Sequence, residues 1–357
     1  MGGSIMAVVI NGTTGIDKVQ DGSIGTADLA ANAVTAAKLD VGQIGGRRNL
    51  IINGAMQIYQ RGQSHPSSNG YGSMDRWFIW GANGSFSRTS ASAPSNTGIR
   101  DSLSATSMTG EYTIAQGIDL VYNGNAGIFY SGQTITLSYY ARSTNASDSL
   151  YNFISFRDSV GSSSNQVVID NDNTDTNQLS TTWQRFSKTY TISVSPVGTN
   201  TCLVVMPRSG STPAGDIYIT GIQLEIGDIA TPYEHVDANE ELQKCQRYFF
   251  SSIYANGNAY GNTGTALQIY HTYTAGPGWE WATANLPTTM RSTPTFVVYD
   301  AAGTAGKIAK FTSSAGQVTN NITPYGYGGN RQNVYINLYN DSGHYGFFAH
   351  YTADSEL

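Results

Sequence analysis

A five-residue spacing of large apolar side chains near the start of the sequence is the feature that most constrains the fold. The segments DGSIGTADLA (21–30) and ANAVTAAKLD (31–40) align without a gap as two ten-residue units. Neither the 3.6-residue period of a helix nor the two-residue period of a strand gives this spacing. The residues that recur at every fifth position are Val19, Ile24, Leu29, Val34, Leu39 and Ile44.

A unit with only one large apolar residue in five cannot bury that residue by itself. Short repeats acquire a core by stacking against neighbouring units or partner chains. Three copies wound about a common axis would place the apolar row at the centre. Residues 1–48 are therefore expected to form an oligomeric stem, in a homotrimer. The alternative is an Ala/Gly-rich linker in which the spacing is accidental.

The composition excludes several classes of protein. Charged residues make up 12% of the 357, about half the ~25% of an average soluble domain. The apolar fraction is only 39%, and no apolar run approaches the ~18 residues of a membrane-spanning helix. The net charge of −6 and the lack of a Lys/Arg cluster argue against a nucleic-acid partner. The 23 tyrosines favour contact with polar ligands, because each ring carries a polar tip.

Residues 49–235 have the pattern of a β-sandwich. TITLSYYA (134–141) and RFSKTYTISV (185–194) alternate apolar and polar residues, which is typical of half-buried strands. The apolar phase reverses within DIYITGIQLEIG (216–227), so a β-bulge is expected near Gly221. Many short strands with Gly/Ser/Asn turns favour two packed sheets, and a jelly roll in particular.

A single helix is expected between two β-rich regions. Asp237 can cap a helix that runs to residue 249, and Leu242, Cys245 and Phe249 form its apolar stripe. Residues 236–250 would then connect the sandwich to a second β-sandwich at 251–357. The spacing of Cys202 and Cys245 leaves open whether the two thiols pair.

Four motifs carry a resemblance to a known family. They are NLIINGAMQIYQRG (49–62), MDRWF (74–78), YTIAQGID (112–119) and GIQLEIGDIATPYEHVDANEELQKCQRYF (221–249). Together they resemble a carbohydrate-binding-module-like jelly roll of bacteriophage tail fibres and receptor-binding proteins. The string DGSIGTADLAANAVTAAKL resembles the N-terminal segment with which such fibres attach to the tail.

The resemblance implies a non-enzymatic adhesin of the virion. Residues 1–48 would attach to a tail hub, nozzle or adaptor protein, and residues 251–357 would bind host polysaccharide or lipopolysaccharide. No secretory signal is recognised at the start of the sequence, so synthesis in the host cytoplasm and release by lysis are expected. No cofactor, metal, nucleic acid or membrane insertion is expected, but structural calcium at the acidic loop 170–178 stays open as an alternative. Whether the central sandwich also binds sugar stays open.

Aromatic side chains in Gly/Asn-rich loops are the candidate receptor-binding residues. Sugar rings stack their C–H faces on aromatic rings, while carboxylates and amides bind the hydroxyls, and loops are where binding residues concentrate. The alternative is that Trp279 and Trp281, two residues apart, both face a core. The candidates are Trp279, Glu280, Trp281, Tyr325, Tyr327, Tyr254 and Tyr260.

No catalytic motif is recognised, but two other functions stay open. A tailspike-type depolymerase would need two carboxylates flanking the glycosidic bond. Glu280 between two tryptophans is the best single candidate, with Asp300 or Asp341 as unsupported partners. A capsid decoration or other structural virion protein is the further alternative.

Overall fold

The computed structural model describes residues 48–66, 69–81, 84–121, 127–196, 201–252, 269–272, 278–311, 318–340 and 346–357. The stem residues Val19, Ile24, Leu29, Val34, Leu39 and Ile44 lie outside this part of the chain, as do Tyr254 and Tyr260. The described residues form two β-rich units joined by one helix.

The first unit contains twelve strands. In chain order they are β1 (Gly70–Tyr71), β2 (Phe78–Trp80), β3 (Ser85–Thr89), β4 (Ser102–Thr106), β5 (Thr113–Asp119), β6 (Thr134–Ser143), β7 (Ser149–Arg157), β8 (Val167–Asp170), β9 (Asn177–Gln178), β10 (Gln184–Thr191), β11 (Cys202–Ser209) and β12 (Ile217–Ile226).

These strands pair into two antiparallel sheets. The seven-stranded sheet has the order β1-β2-β5-β11-β7-β8, with β9 paired to β7, and the five-stranded sheet has the order β10-β6-β12-β4-β3. From β4 to β7, and again from β10 to β12, consecutive strands alternate between the two sheets. This alternation is the wrapping of a jelly roll, so the expected mainly-β, jelly-roll class is confirmed.

The core of the first unit is formed by the inward-facing residues of both sheets. Trp77 is 1% exposed, and its indole N–H donates to Asn53 O at 3.0 Å, whereas Trp183 is only half-buried. The register of β12 against β6 shifts between Thr220 and Gln223, and Gly221 has a φ of +61°. The expected bulge at Gly221 is thus confirmed, and it places apolar residues on the core side both before and after it.

One helix, α1 (Ala238–Gln246), connects the units. The Asp237 carboxylate accepts a hydrogen bond from Asn239 N and caps it. The helix is shorter than the predicted 237–249, because Phe249 already pairs with Asp354 in a strand. No helix among the described residues combines the length and the apolar character needed to cross a membrane.

The second unit contains nine strands in two sheets. The strands are β13 (Phe249–Ser251), β14 (Ile269–Thr272), β15 (Gly278–Asn285), β16 (Thr295–Tyr299), β17 (Ile308–Phe311), β18 (Val318–Ile322), β19 (Gly326–Gly329), β20 (Asn333–Asn340) and β21 (Gly346–Asp354). A six-stranded sheet has the order β13-β21-β17-β18, with β14 and β16 also paired to β21. A three-stranded sheet has the order β15-β20-β19. A separate core that includes Val298, Ile336 and Phe347 lies in this unit.

A buried cluster of charged residues joins the two units. Arg76, wholly buried and at a φ of +73°, forms an ion pair with Glu356. Its guanidinium also lies 3.5 Å from the ring centre of Tyr248 and donates to Gly117 O at 2.6 Å. Burial alone would lower the pKa of Arg76, but Glu356 raises it above its usual value. The guanidinium is therefore held charged at the junction of the units.

Asp75 and Arg61 complete this charged cluster. Asp75 accepts hydrogen bonds from Gln60 N at 2.9 Å and from Gln60 Nε2 at 2.5 Å, so it anchors the turn before Arg76. Arg61 forms ion pairs with Asp354 at 3.0 Å and with Glu356 at 3.3 Å. The two acids of the second unit are thus bound by arginines of the first.

The two cysteines do not pair with each other. Cys202 and Cys245 are both free and buried, in β11 and in α1. Burial raises the pKa of the Cys202 thiol to about 12, and burial also raises that of Cys245 well above its ordinary value. Both thiols are therefore held in the protonated, unreactive form.

Candidate functional site

The solvent-exposed side of β15 carries two tryptophans. Trp279 and Trp281 are 52% and 54% exposed, whereas Glu280 and Ala282 between and beyond them are buried. Successive side chains of a strand point to opposite faces, so the two indoles share the outer face of the sheet. Such exposure of large apolar rings costs solvation free energy and is typical of a surface that binds something.

The neighbouring strand β20 extends the same face. Its residues Val334, Ile336 and Leu338 are buried in the core, which places Tyr335, Asn337 and Tyr339 on the outer side. The register pairs Trp279 with Tyr339, Trp281 with Asn337, and Thr283 with Tyr335. Paired residues of adjacent strands lie on one face, so these side chains form a continuous surface.

The rings contact one another across the strands. The ring centres of Trp279 and Tyr339 are 5.3 Å apart, and those of Trp281 and Tyr335 are 5.7 Å apart. Tyr325, 72% exposed in the turn before β19, meets Trp279 edge-on at 4.4 Å. Its backbone N–H donates to Asn337 O at 3.0 Å, which fixes the turn against β20. We term Trp279, Trp281, Tyr325, Tyr335 and Tyr339 the aromatic face.

A buried amide lies among these rings. Asn337 is only 8% exposed although it faces outward, and its Oδ1 accepts no hydrogen bond from any described residue. Two glycines of β19 make room beside it. A Cβ on Gly326 would lie 2.9 Å from Asn337 Oδ1, and one on Gly328 would lie 3.2 Å from the Tyr335 hydroxyl. A buried acceptor without a donor is costly, so this position suits a ligand that brings one.

Three of the candidates from the sequence lie together on the aromatic face, and two lie on the other side of the sheet. Trp279, Trp281 and Tyr325 lie together on the aromatic face. Glu280 is 7% exposed and pairs with Leu338, so it lies on the core side of the sheet. Tyr327, 36% exposed, pairs with the core residue Ile336 and therefore also belongs to that opposite side.

Sequence reasoning missed three residues of this surface. Tyr335, Asn337 and Tyr339 occupy alternate positions of NVYINLYN, whose other positions are the apolar Val, Ile and Leu. That alternation assigns them to a solvent-facing side. The pairing of β20 with β15, which joins the tyrosines to the tryptophans, spans more than fifty residues of sequence and could not be derived from local pattern.

The face is uncharged. The residues that β15, β19 and β20 direct to it are aromatic, Thr, Asn or Gly, and none is ionisable except the tyrosines. Asp300, considered as a catalytic partner of Glu280, accepts hydrogen bonds from Ala302 N, Thr304 N and Asn321 N, so it anchors a turn. Asp341 lies outside the described residues. The arrangement therefore provides stacking surfaces and a hydrogen-bond acceptor for an uncharged ligand.

No protein-family model matches the chain, and no curated protein matches it. Solved structures do resemble it. The CBM22-1 xylan-binding domain from Paenibacillus barcinonensis is 14% identical, with a TM-score of 0.31, covering 52% of this chain and 100% of that domain. The N-terminal cellulose-binding domain of Cellulomonas fimi β-1,4-glucanase C is 13% identical, with a TM-score of 0.28, covering 43% of this chain and 89% of that domain.

A viral structure is also similar. The enzymatically active domain of tailspike protein 4 from bacteriophage CBA120 is 15% identical, with a TM-score of 0.34, covering 54% of this chain and 24% of that one. Likeness at this level says nothing about what the present chain binds. Its ligand has to be inferred from its own residues.

Proposed function

We propose that this chain binds an uncharged glycan on its aromatic face. The observation that carries the proposal is the alignment of five exposed rings around Asn337, a buried amide with an unused acceptor. A pyranose ring has an apolar C–H side that stacks on an aromatic ring and hydroxyls that donate to an amide oxygen. The face offers both kinds of contact without a charge to select against neutral sugars.

The shape of the face favours a chain of sugars over a single one. Tyr335 and Tyr339 are four residues apart on β20, which separates them by about 13 Å. A surface of that length can contact consecutive rings of a polysaccharide. It is lined on both sides of β20, by the tryptophans of β15 and by Tyr325 before β19.

The proposed role is that of a tail-fibre adhesin that attaches a virion to host polysaccharide or lipopolysaccharide without cleaving it. Support comes from the tail-fibre motifs of residues 49–62, 74–78, 112–119 and 221–249, together with the N-terminal repeat. The stem would join three copies and dock on a tail hub, nozzle or adaptor protein. Three faces on one fibre would raise the avidity for a repetitive surface even if each binds weakly.

Affinity electrophoresis in gels that contain xylan, galactan, mannan or β-glucan tests the glycan site. We expect at least one polysaccharide to retard the wild-type chain. The double substitution W279A/W281A should lower the affinity calculated from that retardation about thirtyfold, since two stacking contacts together contribute about 2 kcal/mol.

Two matched variants serve as controls. Thr283→Ala removes a side chain from the same strand and face without removing a ring, and Tyr327→Ala removes a ring from the opposite side of the sheet. Both should migrate like the wild type. Retardation that survives W279A/W281A, or no retardation by any of the four polysaccharides, would count against the site.

Light scattering on the full chain tests the stem. We expect a stable homotrimer, because the apolar row at every fifth residue needs partner chains to cover it. Replacing Ile24, Leu29 and Val34 by serine should convert the trimer to a monomer of one third the mass. A wild-type chain that is monomeric at micromolar concentration would contradict the proposed trimeric fibre.

A further inference from the structure

A cavity lies in the first unit, on the outer side of the seven-stranded sheet. It has a volume of about 300 Å³, and its lining includes Trp80, Phe153, Met206, Arg157 and Arg208. The register explains why they meet: Phe153 pairs with Met206, and Trp80 and Arg208 both pair with Thr113. Aromatic and thioether groups thus form an apolar floor with two guanidinium groups beside it.

Arg157 is buried in this cavity without an acid. It is 6% exposed, and no carboxylate of the described residues forms an ion pair with it. Its Nε donates to Ser155 Oγ at 2.9 Å and its Nη1 to Ser162 O at 3.2 Å. Burial lowers the pKa of Arg157 to about 10, which records the cost of removing this cation from water. Buried charges are normally neutralised by a partner.

The guanidinium of Arg157 is placed between two rings. Its central carbon lies 5.4 Å from the ring centre of Trp80 and 5.2 Å from that of Phe153. Ring contacts and serine oxygens satisfy part of its donor capacity but supply no negative charge. They do hold the group in one orientation, and a fixed guanidinium fork is the geometry that binds a carboxylate.

Arg208 is available as a second cation. It meets Glu111 at 3.4 Å, and both side chains of this pair are well exposed, at 38% and 51%. An exposed pair of this kind contributes little and can exchange partners. The cavity therefore combines one buried cation, one part-exposed cation and aromatic walls, which is a different chemistry from the uncharged aromatic face of the second unit.

We propose that this cavity binds a carboxylate-bearing sugar, with the carboxylate on Arg157 and the apolar side of the sugar ring against Trp80 and Phe153. The walls favour a sugar acid over a free inorganic anion, because an anion alone would leave the apolar floor uncovered. The volume accommodates a ligand of one or two rings. The chain would then recognise two kinds of sugar at two separate places, independently of whether the aromatic face binds glycan.

Calorimetric titration of the full chain tests this site. The probes are oligosaccharides prepared from polygalacturonate, alginate, hyaluronate and polysialic acid, each with its methyl-esterified counterpart. We expect at least one acid probe to bind, and its neutral ester to bind about tenfold more weakly or worse, since a charged hydrogen-bond pair is lost. Binding should also weaken as salt is added.

Substitutions assign the binding to Arg157. Arg157→Gln keeps an amide near the position from which Nε donates to Ser155 but removes the charge, and should weaken binding about tenfold or more. Arg100→Gln removes an equal charge from an exposed position of the same unit and should change binding less than twofold. Trp281→Ala on the aromatic face should leave acid binding intact, which separates this site from the glycan site proposed above.

Arg208→Gln provides a second measurement if Arg157→Gln does not fold. Because Arg208 is part-exposed, its loss should leave the thermal midpoint unchanged and weaken acid binding severalfold. Binding of none of the acid probes would overturn the proposal. The proposal would also be overturned if both arginine variants bound the acid probes as tightly as the wild type does. Equal affinity for an acid probe and its ester would overturn it as well. Tight binding of a sulfated galactose oligosaccharide, with none for the carboxylates, would overturn the carboxylate assignment.

Discussion

Replacing Arg76 by methionine is expected to lower the free energy of unfolding by about 3–4 kcal/mol, because it leaves a buried carboxylate short of a cation. The Arg76 side chain is wholly buried, and Glu356 is 4% exposed. The substitution also removes the donor to Gly117 O and the stack on Tyr248. Methionine keeps an unbranched, flexible side chain and is no less compatible with the left-handed turn than arginine, so most of the lost stability comes from the guanidinium.

Urea denaturation followed by tryptophan fluorescence, at one protein concentration, measures this effect. The double variant R76M/E356Q removes both charges and should recover at least half of the loss, since a buried pair replaced by neutral groups is often nearly neutral in stability. Lys188→Met is the matched control. Lys188 pairs with Asp170 and Asp175 near the surface, and its loss should cost less than about 1 kcal/mol. Equal losses in the free energy of unfolding for R76M and K188M would contradict the expectation that the buried Arg76–Glu356 pair stabilises the protein more than a surface pair does.

The ionisation of Asp75 is expected to make the free energy of unfolding depend on pH. Burial raises the pKa of Asp75 to about 6, while Arg61 and the hydrogen bonds from Gln60 act in the opposite direction. The folded chain therefore holds the Asp75 proton more tightly than the unfolded chain, whose pKa is about 3.9. The contribution to stability is fully present below about pH 4 and is lost as the pH rises through about 6. The loss amounts to about 3 kcal/mol.

Comparison with Asp75→Asn isolates this single group from the other acids of the chain. The amide cannot ionise, so the variant should gain about 2 kcal/mol relative to the wild type between pH 4 and pH 7.5. A constant offset from the altered contact with Gln60 does not affect that difference. Asp228→Asn, which removes a carboxyl at an exposed position, is the control for the loss of one negative charge. If the stability curves of the wild type and D75N stay parallel over this range, the pKa of Asp75 is not raised by folding.

The sequence predicted those features that depend on local alternation. The strand pattern of 134–141 and 185–194 and the bulge at Gly221 are each set by residues close together in the chain. The helix was predicted three residues too long, since the competing pairing of Phe249 with Asp354 comes from more than a hundred residues away. Tertiary pairing decided where the helix ends.

The candidate site was predicted only in part, for the same reason. Period two in GWEWATAN places both tryptophans on one side, but it does not say whether that side faces the core or the solvent. The structure resolves this through Ala282, which is small enough to pack inward, while the indoles remain exposed. Tyr327 looked equivalent to Tyr325 as a loop residue. Its strand pairing with β20 instead directs it to the side of Ile336.

The two units are joined twice, and the second crossing changes their mechanics. Beyond α1, the segment 354–357 returns to the first unit: its two acids meet Arg61 and Arg76, and Leu357 packs against the apolar cluster that contains Val160. A single helix would let the units swing about a hinge, whereas the returning segment adds a second connection beside the end of α1, where Ser355 N donates to Tyr248 O at 2.8 Å. If the aromatic face binds glycan as proposed, a force applied there is transmitted to the first unit through both connections and not through α1 alone.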